Sequence, residues 1–113
     1  MNEKQAHLNS IVNIVVDCCA IEIDDKGTMS ITREDVMGKS RAENVVMTRA
    51  ILCRMIAFAG YSTTTTAMLL GRTEAAVRHL LKLAMQFHAT SRAYRIAEAE
   101  ATLKCKDLPD SGI

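Results

Sequence analysis

The side chains of this sequence that could do catalytic or metal chemistry are few and widely spaced. No two cysteines have C-x-x-C spacing and no two histidines lie three to five residues apart, so the spacing does not predict a zinc site. The histidines also lack an arrangement of carboxylates or cysteines suited to nucleophilic catalysis. We therefore expect neither an enzyme nor a cofactor from the residues concerned, which are Cys18, Cys19, Cys53, Cys105, His7, His79 and His88.

One short motif, Gly38-Lys39-Ser40, has the residues that end a phosphate-binding loop. Such a loop requires another glycine five positions before Gly38, where this sequence has Arg33, and a buried strand ahead of it. The sequence meets neither requirement. It therefore predicts a stand-alone module that does not hydrolyse a nucleotide.

Lysine and arginine are concentrated in the middle of the chain. The formal net charge is +1, but residues 1–35 carry −4, residues 36–95 carry +7 and residues 96–113 carry −2. A basic segment between two acidic ends indicates a negatively charged partner for the middle of the chain. The alternative is a basic helical face that is merely solvated, and the charge pattern alone does not separate the two.

Length and composition predict one small helical domain. A chain of 113 residues is too short for two domains with good cores, and one proline and five glycines are few for a β sandwich. We expect an all-α helical bundle over residues 1–106 and a flexible tail at residues 107–113. No apolar stretch reaches the roughly 20 residues that cross a bilayer, and no signal-peptide pattern is present. We therefore expect a cytoplasmic protein with reduced cysteines and no membrane partner.

Apolar periodicity and capping residues divide the chain into elements. Residues 4–20 have apolar side chains three and four residues apart, although a β-branched run within them also favours a strand. Residues 21–31 alternate apolar and polar around Asp-Asp-Lys-Gly, which predicts a minor β-hairpin or an irregular loop. Thr32 then caps a short helix that ends at Gly38, and residues 43–59 form the next helix.

Residues 63–82 fit a helix-turn-helix. Two short helices that meet at a steep angle need a small residue at their contact, which Ala67 supplies, and a turn residue that tolerates a positive φ, which Gly71 supplies. The second helix, capped by Thr73, buries Val77 against the first. Helical hairpins without a DNA function also match this spacing.

Three consecutive blocks of the sequence resemble one protein family. They are residues 32–41 (TREDVMGKSR), a helix with Val45, Val46, Arg49 and Ile51, and residues 62–79 with Gly71-Arg72, Val77 and His79. Their order and spacing are similar to the C-terminal DNA-binding domain of the bacterial chromosomal replication initiator DnaA, in the Trp repressor-like helix-turn-helix group. The resemblance covers residues 32–82, about half of the chain.

The resemblance implies DNA contacts ahead of the helix-turn-helix. Lys39, Ser40 and Arg41 form a basic connector, from which Arg41 would enter the minor groove. A guanidinium there responds to the width and negative potential of the groove. Arg49, in the following helix, would contact a phosphate.

The resemblance also implies contacts from the helix-turn-helix itself. The helix N-terminus at Ser62 and Thr63 would offer backbone N–H groups to a phosphate. Arg72 would meet a phosphate or a base edge at the start of the second helix. His79 would face DNA further along that helix, which is the recognition helix of the family.

The side chains with which the family reads bases differ in this sequence. Thr73-Glu74-Ala75-Ala76 stands where the family has Asp-His-Thr-Thr. Glu74 can accept a hydrogen bond from the 4-amino group of cytosine, but its charge repels phosphate. Arg78 replaces an apolar family residue, and it either offsets part of the loss or is merely solvated. The resemblance therefore implies docking on DNA and leaves the recognised sequence open.

Together these patterns predict a module that binds double-stranded DNA and acts in replication initiation or transcriptional regulation. The alternative is a protein–protein interaction module on the same helical fold that has lost sequence-specific DNA binding. Glu74, the acidic ends and a face of residues 90–105, in a last helix capped by Thr90 or Ser91, would suit a protein partner. The sequence leaves the oligomeric state open.

Overall fold

The computed structural model describes residues 2–24 and 31–108, and within them it contains six α-helices and no β-strand. The helices are α1 (Glu3–Glu22), α2 (Arg33–Met37), α3 (Glu43–Phe58), α4 (Thr63–Leu70), α5 (Glu74–Thr90) and α6 (Arg92–Lys106). This confirms the prediction of a small all-α helical bundle.

Helix α3 lies at the centre of the bundle and packs against each of the other five helices. Ten of its 16 residues are buried, including two polar ones, Thr48 and Arg49. Helix α1 packs on α3 and α6, while α5 packs on α3, α4 and α6. The core that these helices share is mainly aliphatic, with Leu, Ile, Val, Ala, Met and Cys side chains.

Side-chain caps predicted from the sequence begin four of the helices. Thr32 and Asp35 form a capping box at α2, in which each side chain accepts a hydrogen bond from the backbone N–H of the other, at 3.2 and 3.1 Å. Ser62 caps α4, Thr73 caps α5 and Ser91 caps α6, each accepting a backbone N–H at 3.1 Å. Caps of this kind each stabilise a helix by about 1 kcal/mol.

The predicted hairpin near residues 21–31 is wrong in its first strand. Helix α1 continues through Glu22, and Ile23 closes it by donating its N–H to the carbonyl of Cys19 at 2.8 Å. Ile23 and Cys19 are both buried, because residues four apart share one face of a helix and this face meets the core. Most of the remaining predicted hairpin, residues 25–30, lies outside the described residues, as does most of the predicted tail, residues 109–113.

Three further structural findings concern membrane spans, cysteines and metal ligands. No helix in the described part of the chain is long and apolar enough to cross a membrane. All four cysteines are free, with Cys18, Cys19 and Cys53 buried in the core. Over residues 2–24 and 31–108, no group of three or more His, Cys, Asp or Glu side chains is placed to hold a metal ion.

Candidate nucleic-acid interface

Helices α4 and α5 form the helix-turn-helix that the sequence predicts. Helix α4 ends at Gly71, whose φ of 63° and ψ of 36° lie in the left-handed region. The next residue, Arg72, donates its backbone N–H to the carbonyl of Ala67 at 2.9 Å, and Thr73 begins α5. Ala67 and Val77 are both buried, as two packed helices joined by a tight turn require.

The outer face of α5 presents basic and polar side chains. Its buried residues are Val77, Leu80 and Ala84, and the first three turns of its solvent side carry Arg78, His79 and Lys82, all exposed. Glu74 is the only acidic residue in the helix. Lys82 was not among the predicted site residues. Its position four residues after Arg78 does predict that the two side chains lie on one face of the helix.

The basic connector lies beside the turn of the helix-turn-helix. A terminal guanidinium nitrogen of Arg72, Nη2, donates to the backbone carbonyl of Gly38 at 2.5 Å, although the two residues are 34 positions apart. The other, Nη1, donates to the carbonyl of Leu70 at 3.0 Å. One side chain thus ties Gly38, which directly precedes the connector, to the end of α4, and the connector residues Lys39 and Arg41 that follow are exposed.

Arg49 does not lie on the surface, which corrects the phosphate contact expected for it. Only 4% of the residue is exposed, and its guanidinium donates four hydrogen bonds to backbone carbonyls, those of Asp35, Val36, Gly38 and Ser40, at 2.5 to 2.9 Å. Burial, with the nearby charge of Arg72, lowers the pKa of Arg49, while Asp35 acts in the opposite direction. The side chain organises the end of α2 and the connector, and it is not available to a ligand.

Arg72 is half-buried, and its two terminal nitrogens are both occupied by carbonyls. Its position therefore explains how the connector is held. A phosphate or base contact from the same side chain stays a prediction.

The start of α4 also meets the start of α5. The hydroxyl of Thr64 donates to Oε1 of Glu74 at 3.1 Å, so the first turn of α4 reaches across to the first residue of α5. Ser62, which caps α4, is exposed and Thr63 is half-exposed. Of the predicted site residues, the structure brings together the connector, the N-terminus of α4 and the first turns of α5, and it places Arg49 in the interior.

This arrangement presents the charged ends of several long side chains at the surface of the helix-turn-helix. Arg41, Arg78 and Lys82 have long side chains that reach out from fixed backbone positions, and such side chains suit phosphate oxygens and base edges. Ser40 supports the connector locally, since its hydroxyl accepts the N–H of Ala42 at 3.3 Å.

Comparison of the chain with protein families, with curated proteins and with solved structures gave no match.

Proposed function

We propose that this chain is a double-stranded DNA-binding module similar to the C-terminal domain of DnaA, which acts in the cytoplasm in replication initiation or transcriptional regulation. The observation that carries the proposal is the hydrogen bond from Arg72 to the carbonyl of Gly38. It joins Gly38, directly before the basic connector, to Arg72, two residues before α5 begins. Two such elements side by side can enter adjacent grooves of one duplex.

In this proposal α5 lies in the major groove and the connector follows the backbone into the neighbouring minor groove. The N-terminal turns of a recognition helix reach the base edges, which assigns that role to Glu74, Arg78 and His79. Arg41 is exposed at the connector and would insert into the minor groove, where the potential is most negative when the groove is narrow.

The distribution of exposed basic side chains supports the same orientation of the module on DNA. Lys39, Arg41, Arg78 and Lys82 are exposed around the helix-turn-helix. Each cation that neutralises a phosphate releases a counterion, so such a surface binds DNA most strongly at low salt. The near-zero net charge of the whole chain does not oppose this, because its acidic residues lie mainly in the two ends.

The proposal is tested by electrophoretic mobility shift on random-sequence duplexes at low salt. We expect a shift that weakens as salt is added, and weaker binding by Arg41→Ala and by Arg72→Ala. The Arg72 variant would act by releasing the connector. Lys104→Ala, which removes an exposed charge from the last turns of α6, is the matched control and should bind like the wild type. Absence of a shift on any duplex would overturn the proposal.

A protein-binding function on the same fold is the second candidate, and a specific surface favours it. Phe58 is 62% exposed at the end of α3, and it borders a mainly apolar groove that α1, α3 and α6 form. Leu103 of α6 is also exposed, at 65%, but it does not line this groove. An exposed apolar side chain beside an apolar groove is typical of partner sites. If this function replaces DNA binding, Phe58→Ser will abolish binding of the partner protein, and the wild type will shift no duplex in the mobility assay.

A further inference from the structure

Glu74 stands at the head of a row of exposed side chains on α5. Arg78 and Lys82 follow it at i+4 and i+8, so the three side chains point from successive turns of the same face. Within the described residues, neither Arg78 nor Lys82 forms an ion pair with Glu74. This face of α5 therefore presents one hydrogen-bond acceptor, Glu74, followed by two donors, Arg78 and Lys82, to a binding partner.

The carboxylate of Glu74 is held by a neighbouring helix. Oε1 accepts the hydroxyl hydrogen of Thr64 at 3.1 Å, which leaves the other oxygen, Oε2, without a donor among the described residues. An exposed glutamate on a free helix would sample many rotamers, and this contact restricts them. Glu74 thus offers a free acceptor in a restricted position.

An acceptor in this place must find a donor if α5 enters a groove. A carboxylate that approaches DNA without a partner is repelled by phosphate and loses its hydration. In the major groove the bases present only two donors, the 4-amino group of cytosine and the 6-amino group of adenine. Adenine carries the N7 acceptor beside its amino group, which would oppose a carboxylate, whereas cytosine carries no acceptor there.

We infer that Glu74 is a specificity-determining residue that selects a cytosine through its 4-amino group, with the carboxylate positioned by Thr64. The inference rests on the proposed function, since it needs α5 in the major groove. Glu74 would also disfavour the other bases at that position. A thymine at that base pair would place its O4 acceptor against the carboxylate, and a guanine would place two acceptors there.

Selection of bound duplexes from a random pool tests the inference. The wild type should return a motif with a cytosine at one fixed position, and changing that base pair to T·A should weaken binding about tenfold. Glu74→Ala should lose the preference at that position alone. Glu74→Gln should move the preference toward adenine, because a glutamine amide matches the N6–N7 pair.

Glu3→Ala is the matched control, because Glu3 is also an exposed acidic residue at the first position of a capped helix, α1. It should leave the selected motif unchanged. If Glu74→Ala returns the wild-type motif, or if the wild type binds DNA without enriching any sequence, the inference is wrong and DNA binding stands. If no duplex is bound at all, the proposed function fails and the inference fails with it.

Discussion

Arg49 and Arg72 converge on one backbone oxygen. The carbonyl of Gly38 accepts a hydrogen bond from Nη2 of Arg49 at 2.9 Å and another from Nη2 of Arg72 at 2.5 Å. Two guanidinium groups this close repel each other, and the carbonyl dipoles around them offset that repulsion. The shared carbonyl links α3, the connector and the turn between α4 and α5, so the two parts of the proposed DNA surface are held by one small cluster.

Replacement of Arg49 by methionine should destabilise the fold. The variant keeps a long side chain but removes the guanidinium that donates to four backbone carbonyls, and those of Val36 and Ser40 have no other donor among the described residues. Buried acceptors that lose their partner each cost of the order of 1 kcal/mol or more, so we expect a loss of about 3 kcal/mol. Urea unfolding followed by circular dichroism measures it as a lower midpoint.

Arg78→Met is the control for that measurement. It makes the same chemical change at an exposed position of α5, and its free energy of unfolding should stay within about 0.5 kcal/mol of the wild type. Should Arg49→Met unfold at the same urea concentration as Arg78→Met, the guanidinium of Arg49 does not hold the connector as described.

The salt dependence of DNA binding should identify the cations that contact phosphate. Arg41 and Lys82 are both exposed and neither forms an ion pair with a described residue. If each neutralises one phosphate, replacing either with alanine lowers the slope of log Kd against log salt concentration by about 0.9. Fluorescence anisotropy with a labelled duplex at several salt concentrations gives the slope. A slope equal to that of the wild type would exclude the residue from the phosphate contacts.

The local elements of the fold could be predicted from the sequence because they rest on local chemistry. Thr32, Ser62 and Thr73 cap helices by reaching a backbone N–H three residues ahead, and Gly71 adopts the positive φ that ends α4. These interactions join residues close in sequence and do not depend on how the rest of the chain folds. The same holds for the burial of Val77, which follows from helical periodicity.

The role of Arg49 could not be predicted in the same way. Its partners lie 9 to 14 residues earlier in the chain, and nothing in the sequence shows that α2 folds back over α3. The resemblance to the DnaA domain implies a phosphate contact for Arg49, and arginine side chains are mostly exposed in proteins. The hairpin error has another cause, since Ile23 continues the buried face of α1 four residues after Cys19, whereas its alternation with polar neighbours is also typical of a strand.

Gly71→Ala should destabilise the helix-turn-helix through the backbone alone. The φ of 63° is unfavourable for alanine, whereas a Cβ atom at this position would meet no other atom within 4 Å. We therefore expect a loss of about 1 kcal/mol, measured by thermal or urea unfolding. Gly71→Asn should cost less, because asparagine adopts the left-handed region more readily. Equal stability of the alanine variant and the wild type would contradict the left-handed turn.

The stability of the fold should decline in alkali because of its buried cysteines. Burial raises the pKa of Cys19 and of Cys53 from the ordinary thiol value of 9.0 to about 12 in each case. The folded state keeps both protons above pH 9, where the unfolded chain releases them, so protons are lost on unfolding. The stabilisation that the neutral thiols provide is complete below pH 9 and is lost as the pH rises toward 12.

Each of these thiols should contribute a slope of about 1.4 kcal/mol per pH unit to the free energy of unfolding within that window. Other groups titrate there too, so the informative quantity is the difference between the wild type and Cys53→Ala. The variant is less stable at pH 8, because it lacks a buried side chain, but its stability should fall less steeply between pH 9 and 11. Urea unfolding at several pH values gives both curves. Parallel curves would show that Cys53 does not hold its proton in the folded state.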